Sequence, residues 1–283
     1  MPTPAQSAPT RSNASATGPT QVGELLRRWR SQRRLSQLEL AVRADVSTRH
    51  LSCVETGRAK PSRDLVLHLA RHLDVPLRDR NSLLVAAGFA PQYVDQPLDD
   101  PRRAKVRAAI ELVLHAHEPW PAIVVDRHWN LVHANRAAGL LVEGVAPHLL
   151  GPPTNVLRAC LHPEGLAARI VNLGAMCDHV LGGLRRQIDA TGDPTLIALA
   201  AELASYVAAA RNTDPACHMD DVRADGVAVT MRLQRGDDEL SLVSMLATFG
   251  TSVDAALSEL TLETFLPADD HTAAVLRSLA PTT

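Results

Sequence analysis

Aromatic side chains are scarce in this 283-residue chain: three Phe, two Tyr and three Trp make up 3% of it. Interior space must therefore be filled by Leu, Val, Ile and Ala, small units whose packing can leave walls suited to an aliphatic guest. Cysteine is limited to Cys53, Cys160, Cys177 and Cys217, widely spaced and with no C-x-x-C. That excludes a disulfide framework and suits reduced thiols in a cytoplasmic protein. No apolar run approaches the roughly 18 residues of a membrane span, so no membrane is expected among the partners. The first 20 residues are rich in Pro, Ser, Thr and Ala, lack the apolar core of a signal peptide and are expected to form a disordered tail.

Catalytic signatures are missing too. There is no G-x-S-x-G, no P-loop and no H-E-x-x-H, so no enzyme and no cofactor is expected. Cys160-Leu161-His162 and Cys177-Asp178-His179 are two C-x-H pairs, but residues two apart on a helix do not share a face, and no metal is expected. His115-Ala116-His117 has the same defect. The Asp237-Asp238-Glu239 and Asp269-Asp270 runs are expected in solvated turns, and Gly182-Gly183 lies inside a helical pattern.

What is present concentrates between Leu35 and Pro61. Ser36 with Glu39 three residues on forms the S/T-x-x-E capping box that opens a helix. Arg43 to Val46 makes a tight turn, Ser47 caps a second short helix, and Gly57 with Pro61 ends it. Two short helices joined this way suit the DNA major groove. Leu25, Leu26 and Trp29 give a helix before them an apolar face, and Leu38, Leu40 and Ala41 are expected on the core side of the second helix. Helical runs at Arg63–Leu73 and Arg80–Ala87 complete a five-helix unit. On the third helix Leu51 and Val54 point inward. Thr48, Arg49, Ser52, Cys53 and Thr56 then face outward as candidates for DNA contact. Gln37 and Ser47 open helices where phosphates can be met, and Arg58 and Lys60 follow the third helix. Lys60 and Lys105 are the only lysines.

Charge divides along the same line. Residues 21–90 hold 13 Lys/Arg and 7 Asp/Glu, whereas the chain after residue 90 has 15 basic and 24 acidic residues. A basic front neutralises phosphates and an acidic back repels them.

Leu25-Leu26, Arg30, Arg33, Leu35-Ser36-Gln37, Leu40-Ala41, Val46-Ser47, Leu51-Ser52, Val54-Glu55-Thr56-Gly57 and Pro61-Ser62 resemble the pattern of the phage-repressor-like (XRE) helix-turn-helix family. The resemblance implies a regulator bound to a double-stranded DNA operator, a homodimer, and a buried ion pair between Arg30 and Glu55.

After an expected linker over 91–105, two β-prone runs, Ala122–Asp126 and Leu131–Ala134, form a hairpin in which Asn130 is expected to supply the turn's positive φ. Helical patterns follow over Asn155–Leu161, Leu166–Ile188 and Pro194–Ala210, then strands over Gly226–Gln234 and Leu240–Thr248. This mixed order predicts an α+β domain over 106–272, with a tail over 273–283. The whole is thus multidomain: an all-α five-helix unit followed by an α+β one.

Trp120 to Asp126, Leu131 to Ala137, Asn155 to Arg158 and His162-Pro163 resemble the ligand-binding domain of MmyB-like regulators. That implies a PAS-like fold binding a small apolar molecule such as a fatty acid. Expected wall residues are Ile123 and Val125 on one strand, Leu131 and His133 on the next, and Met176, Val180 and Leu184 at helical spacing. Arg158, Arg169, Arg185 and Arg186 are the candidate carboxylate anchors. The alternative is a protein-interaction module whose core holds no ligand.

Overall fold

The computed structural model describes residues 21–95, 98, 100–213, 230–249 and 254–279, with backbone alone at 210–213. The chain divides into two compact units between Gln92 and Tyr93.

Among the described residues the first unit holds five helices: α1 Gln21–Gln32, α2 Gln37–Arg43, α3 Thr48–Glu55, α4 Arg63–His72 and α5 Leu77–Ala86. Three of them start the same way. Ser36, Ser47 and Ser62 each accept a hydrogen bond from the backbone N–H three residues on, and Glu39 completes the box by accepting from the Ser36 N–H. Each cap satisfies a donor that the first helical turn leaves unpaired. The turn between α2 and α3 reverses at Asp45, whose φ is 49°. The core is aliphatic apart from Trp29, with Leu26, Leu40, Leu51, Val54, Leu69, Leu73, Leu83 and Leu84 all buried. Leu38 departs from expectation: it is 62% exposed, and the inward side of α2 is Leu40, Ala41 and Ala44. Residues two positions apart on a helix are separated by about 200°, so Leu38 and Leu40 cannot both face the core.

In the second unit a short 3₁₀ turn, Pro101–Arg103, leads into α6 Ala104–Ala116. Asp100 caps that turn, and Arg103 is buried against Asp254, so the end of the expected linker is already folded structure. Five strands follow among the described residues: β1 Ala122–Val125, β2 Leu131–Ala134, β3 Thr230–Arg235, β4 Asp238–Thr248 and β5 Thr261–Pro267. They form one antiparallel sheet in the order β2-β1-β5-β4-β3. Between β2 and β3 come α7 Val156–Leu161, α8 Leu173–Thr191 and α9 Pro194–Thr213; α10 Ala255–Ser258 precedes β5 and α11 Asp270–Leu279 follows it. The α+β expectation holds, and the strand expected from Gly226 is observed from Thr230, its first residues lying outside the described ones. β5, at the centre of the sheet, was not expected. Neither was α11, which buries Thr272, Ala273 and Leu276 where a tail was expected.

α6 covers one sheet face, with Ile110 and Leu114 on Ala122, Val124 and Leu262. The other face carries Ile123, Val125, Met231, Leu233, Leu242 and Phe265, and meets Met176 of α8. A third cluster packs α7, α8 and α9 together through Leu161, Leu184, Leu196 and Leu203. The β1–β2 turn differs in one respect from expectation: the positive φ of 66° falls on Trp129, not Asn130. Asp126 Oδ1 accepts the backbone N–H groups of His128 and Asn130, and Trp129 is the residue left to reverse the chain.

Gly23 is a close approach that sequence patterning did not reveal. A Cβ there would lie 2.6 Å from the carbonyl oxygens of both Val54 and Glu55, at the end of α3. These are backbone atoms and cannot swing aside. Gly23→Ala should therefore cost about 1–3 kcal/mol through overpacking, despite alanine's better helix propensity. Thermal denaturation of the variant measures this, and an unchanged or raised melting temperature refutes the packing argument.

Candidate nucleic-acid interface and ligand cavity

The expected ion pair is present and bidentate. Arg30 Nε and Nη2 donate to Glu55 Oε1 and Oε2 at 2.7 and 2.9 Å. Arg30 Nη1 donates to the Leu35 carbonyl at 2.7 Å, and Gln37 Nε2 to Glu55 Oε2 at 2.7 Å. The hydrogen bonds to Glu55 hold the Arg30 pKa above its ordinary value against burial. The Glu55 side chain is 1% exposed. Gln37, expected at phosphate, thus spends its amide on Glu55, locking the start of α2 to the end of α3.

The five α3 residues expected to face outward differ in exposure. Arg49 and Thr56 are exposed, and Thr48, Ser52 and Cys53 are half-buried. Thr56 Oγ1 donates to the Ser52 carbonyl at 2.7 Å, which ties it to its own helix. Ser47 is occupied as the cap, while Arg58 and Lys60 are exposed beyond the helix end. His50, also exposed on α3, was passed over.

In the second unit a cavity of about 820 Å³ lies between the sheet and α8, bordered also by α7 and the 3₁₀ stretch Arg136–Val142. Of the expected wall residues, Ile123, Leu131, Met176 and Val180 border it; Val125, His133 and Leu184 do not. The reasons are local. Val125 is enclosed in the core on the same sheet face, and Leu184 is 1% exposed within the packing of α8 on α9. His133 is displaced by a bulge. Val125 pairs with Leu131 but Val124 pairs with His133, so Val132 is the extra residue and the alternation resets. His133 then shares the α6-facing side with Val124, and Ala134 replaces it on the cavity wall.

Of the four candidate anchors, Arg158 is paired with Glu202 at 2.7 and 2.8 Å. Arg169 donates from Nη1 to the Leu140 and Glu143 carbonyls. Arg185 is exposed away from the wall, and Arg186 alone borders the cavity. His179, exposed beside it on α8, has its pKa lowered by desolvation and by the Arg186 charge.

Trp129, Ser244 and Glu263 are among the polar wall residues that lay outside the sequence reading. Trp129 Nε1 donates to Gln187 Oε1 at 2.8 Å, fixing the indole at the edge of the cavity. Glu263 sits in a row across four strands, Ala134–Ile123–Glu263–Leu246, every member of which borders the cavity. Ser244 Oγ donates to its Oε1 at 2.6 Å. Glu263 keeps some accessibility where it meets the cavity, yet its carboxyl is deep, and desolvation raises its pKa against the lowering effect of Ser244. Cys160, also on the wall, has its thiol pushed up to about 12 by burial and by the Glu263 charge, which removes nucleophilic character.

The two C-x-H pairs do not gather. Among the described residues the trio that does is His148, His162 and Glu164, with ligand atoms within 4.8 Å of one another. His162 Nδ1 accepts the Glu164 backbone N–H at 3.1 Å, and the side chains of His148 and Glu164 are mostly exposed.

Two family models match the chain. The MmyB-like transcription regulator ligand binding domain matches residues 106–279, and a helix-turn-helix domain matches residues 21–83. No curated protein matches it.

The raised pKa of Glu263 has a calculable sign. A carboxyl whose folded pKa exceeds its unfolded one makes the folded state less stable as pH rises from the unfolded value to the folded one, with the full penalty above it. Glu263→Gln should therefore raise the melting temperature at about pH 8, with the gain shrinking towards about pH 4. Melting curves across that range test it, and a gain independent of pH rules out the titration of this group as the cause.

Proposed function

The chain belongs to the MmyB-like transcription regulator family, so it is a DNA-binding regulator with a ligand-binding domain, and we propose that it senses a small apolar molecule of the acyl-chain class, such as a fatty acid. The observation that carries this reading is the cavity of about 820 Å³ with walls from Ile123, Leu131, Leu157, Met176 and Val180. Volumes of this order hold ligands of drug size, and aliphatic walls gain by covering an alkyl chain. Arg186 at the rim supplies the cation for a carboxylate. The rival reading, a protein-interaction module with a fully packed core, is disfavoured by the same open volume.

The proposed working state is a cytoplasmic homodimer on a pseudo-palindromic operator, with α3 entering the major groove. Arg49 is the side chain for base readout and Lys60 for phosphate. The ligand acts by favouring one arrangement of the dimer, since it shifts only equilibria whose states it binds unequally.

Arg49→Ala should cost about 1–3 kcal/mol and relax specificity at one base pair of each half-site, while Lys60→Ala weakens all sequences alike. Binding across an operator library separates the two, and an unaltered sequence preference in Arg49→Ala disproves the recognition face. Wild-type affinity should also fall steeply with salt.

For the cavity, native mass spectrometry of the full chain incubated with medium and long fatty acids should show a one-to-one adduct, with a raised melting temperature. No adduct and no thermal shift with any of them returns the lead to the interaction module.

A further inference from the structure

Other partly buried acids in the second unit have either a cationic partner, as Asp254 has in Arg103 at 2.6 Å and Glu202 in Arg158 at 2.7 Å, or several N–H donors, as Asp126 has from His128 and Asn130 and Glu118 from Arg136 and Ala137. Glu263 differs. Its carboxyl makes one hydrogen bond among the described residues, from Ser244 to Oε1, and it is the single acid among the described residues of the cavity wall. Its neighbours across the sheet, Ile123 and Leu246, offer no hydrogen bond from their side chains.

A carboxyl placed in such a row costs free energy unless something completes its hydrogen bonding. An alkyl chain cannot do so. A carboxylate head placed there would bring two acids together, which raises the cost further. A group with an N–H or O–H to donate removes the cost, and a cationic one also neutralises the charge. Ser244, on the strand beside Glu263, holds Oε1 and leaves Oε2 with no hydrogen bond among the described residues.

We propose that, besides its apolar body, the ligand presents a hydrogen-bond donor, an ammonium or a hydroxyl group, to Glu263 Oε2. This rests on the ligand-binding reading above and refines it: a plain fatty acid, its carboxylate at Arg186, still binds, and a chain of the same length bearing a donor for Glu263 binds more tightly. Burial acts in the same direction, because a carboxyl whose ionised form is disfavoured gains most from a partner that restores it.

The test uses the full chain and three probes of equal length, decylamine, 1-decanol and decanoate, followed by calorimetry and by tryptophan fluorescence, to which Trp129 at the cavity edge contributes. Wild type should bind the tighter of the two donors at least about tenfold more tightly than decanoate, and which donor is tighter separates ammonium from hydroxyl. Glu263→Leu should abolish that preference. The isosteric Glu263→Gln guards against misfolding: it should keep decanol binding while losing any advantage of the amine. Decanoate binding as well as either donor, or a donor preference that survives both substitutions, overturns the proposal and leaves the cavity reading standing. Binding of none of the three, in wild type or variants, overturns the cavity reading and the proposal with it.

Discussion

The carboxylate of Glu55 is the point on which the DNA-binding unit turns. It receives two hydrogen bonds from Arg30 on α1 and one from Gln37 at the start of α2, while Glu55 itself ends α3. Arg30 also holds the Leu35 carbonyl in the α1–α2 connection. One buried anion thus fixes three helices relative to one another. Breaking such a pair by removing one partner costs about 3–5 kcal/mol, because the survivor stays buried and charged. The close approach of Gly23 to the Val54 and Glu55 carbonyls belongs to the same arrangement, since α1 must come near enough for Arg30 to reach both oxygens. The angle at which α3 is presented therefore depends on polar geometry as much as on the aliphatic core.

In the second unit the corresponding constraint is β1. Its four residues are all buried, with Ala122 and Val124 facing α6 and Ile123 and Val125 facing the opposite layer. A strand buried on both faces leaves no polar side from which to read its orientation. β2, on the sheet edge, is pinned to it by Asn135. That side chain accepts from the Ala122 N–H, donates to the Trp120 carbonyl and caps the following 3₁₀ stretch. The bulge at Val132 then decides which β2 side chains reach the cavity.

These features explain what could be read in advance. The helix-turn-helix was legible because its signals are local: a serine three residues before a backbone N–H, a glycine after the last turn, apolar positions at helical spacing. The Arg30–Glu55 pair, 25 residues apart, came only with the family pattern. Leu38 was misplaced because a seven-residue helix offers too few apolar positions to fix its phase. The hairpin was legible, but its face was not, since one extra residue exchanges the roles of His133 and Ala134. β5 was missed although Thr261-Leu262-Glu263-Thr264-Phe265 is β-prone, because an acid in the middle of the run reads as solvent-facing. That acid is the residue which makes the cavity chemically distinctive.

Two glutamates therefore mark the two kinds of work in this chain. Glu55 is buried with three side-chain donors directed at it, so its cost is met inside the fold and its effect is to fix helix geometry. Glu263 is deep in an apolar row with a single serine to satisfy it. A fold that needed only to close its sheet would gain by placing an aliphatic residue there, as it does at Ile123 and Leu246 on either side. Local rules of burial are broken most informatively where the compensating group comes from outside the chain. The unmet hydrogen-bonding capacity of Glu263, set in the wall of an open cavity, is of that kind.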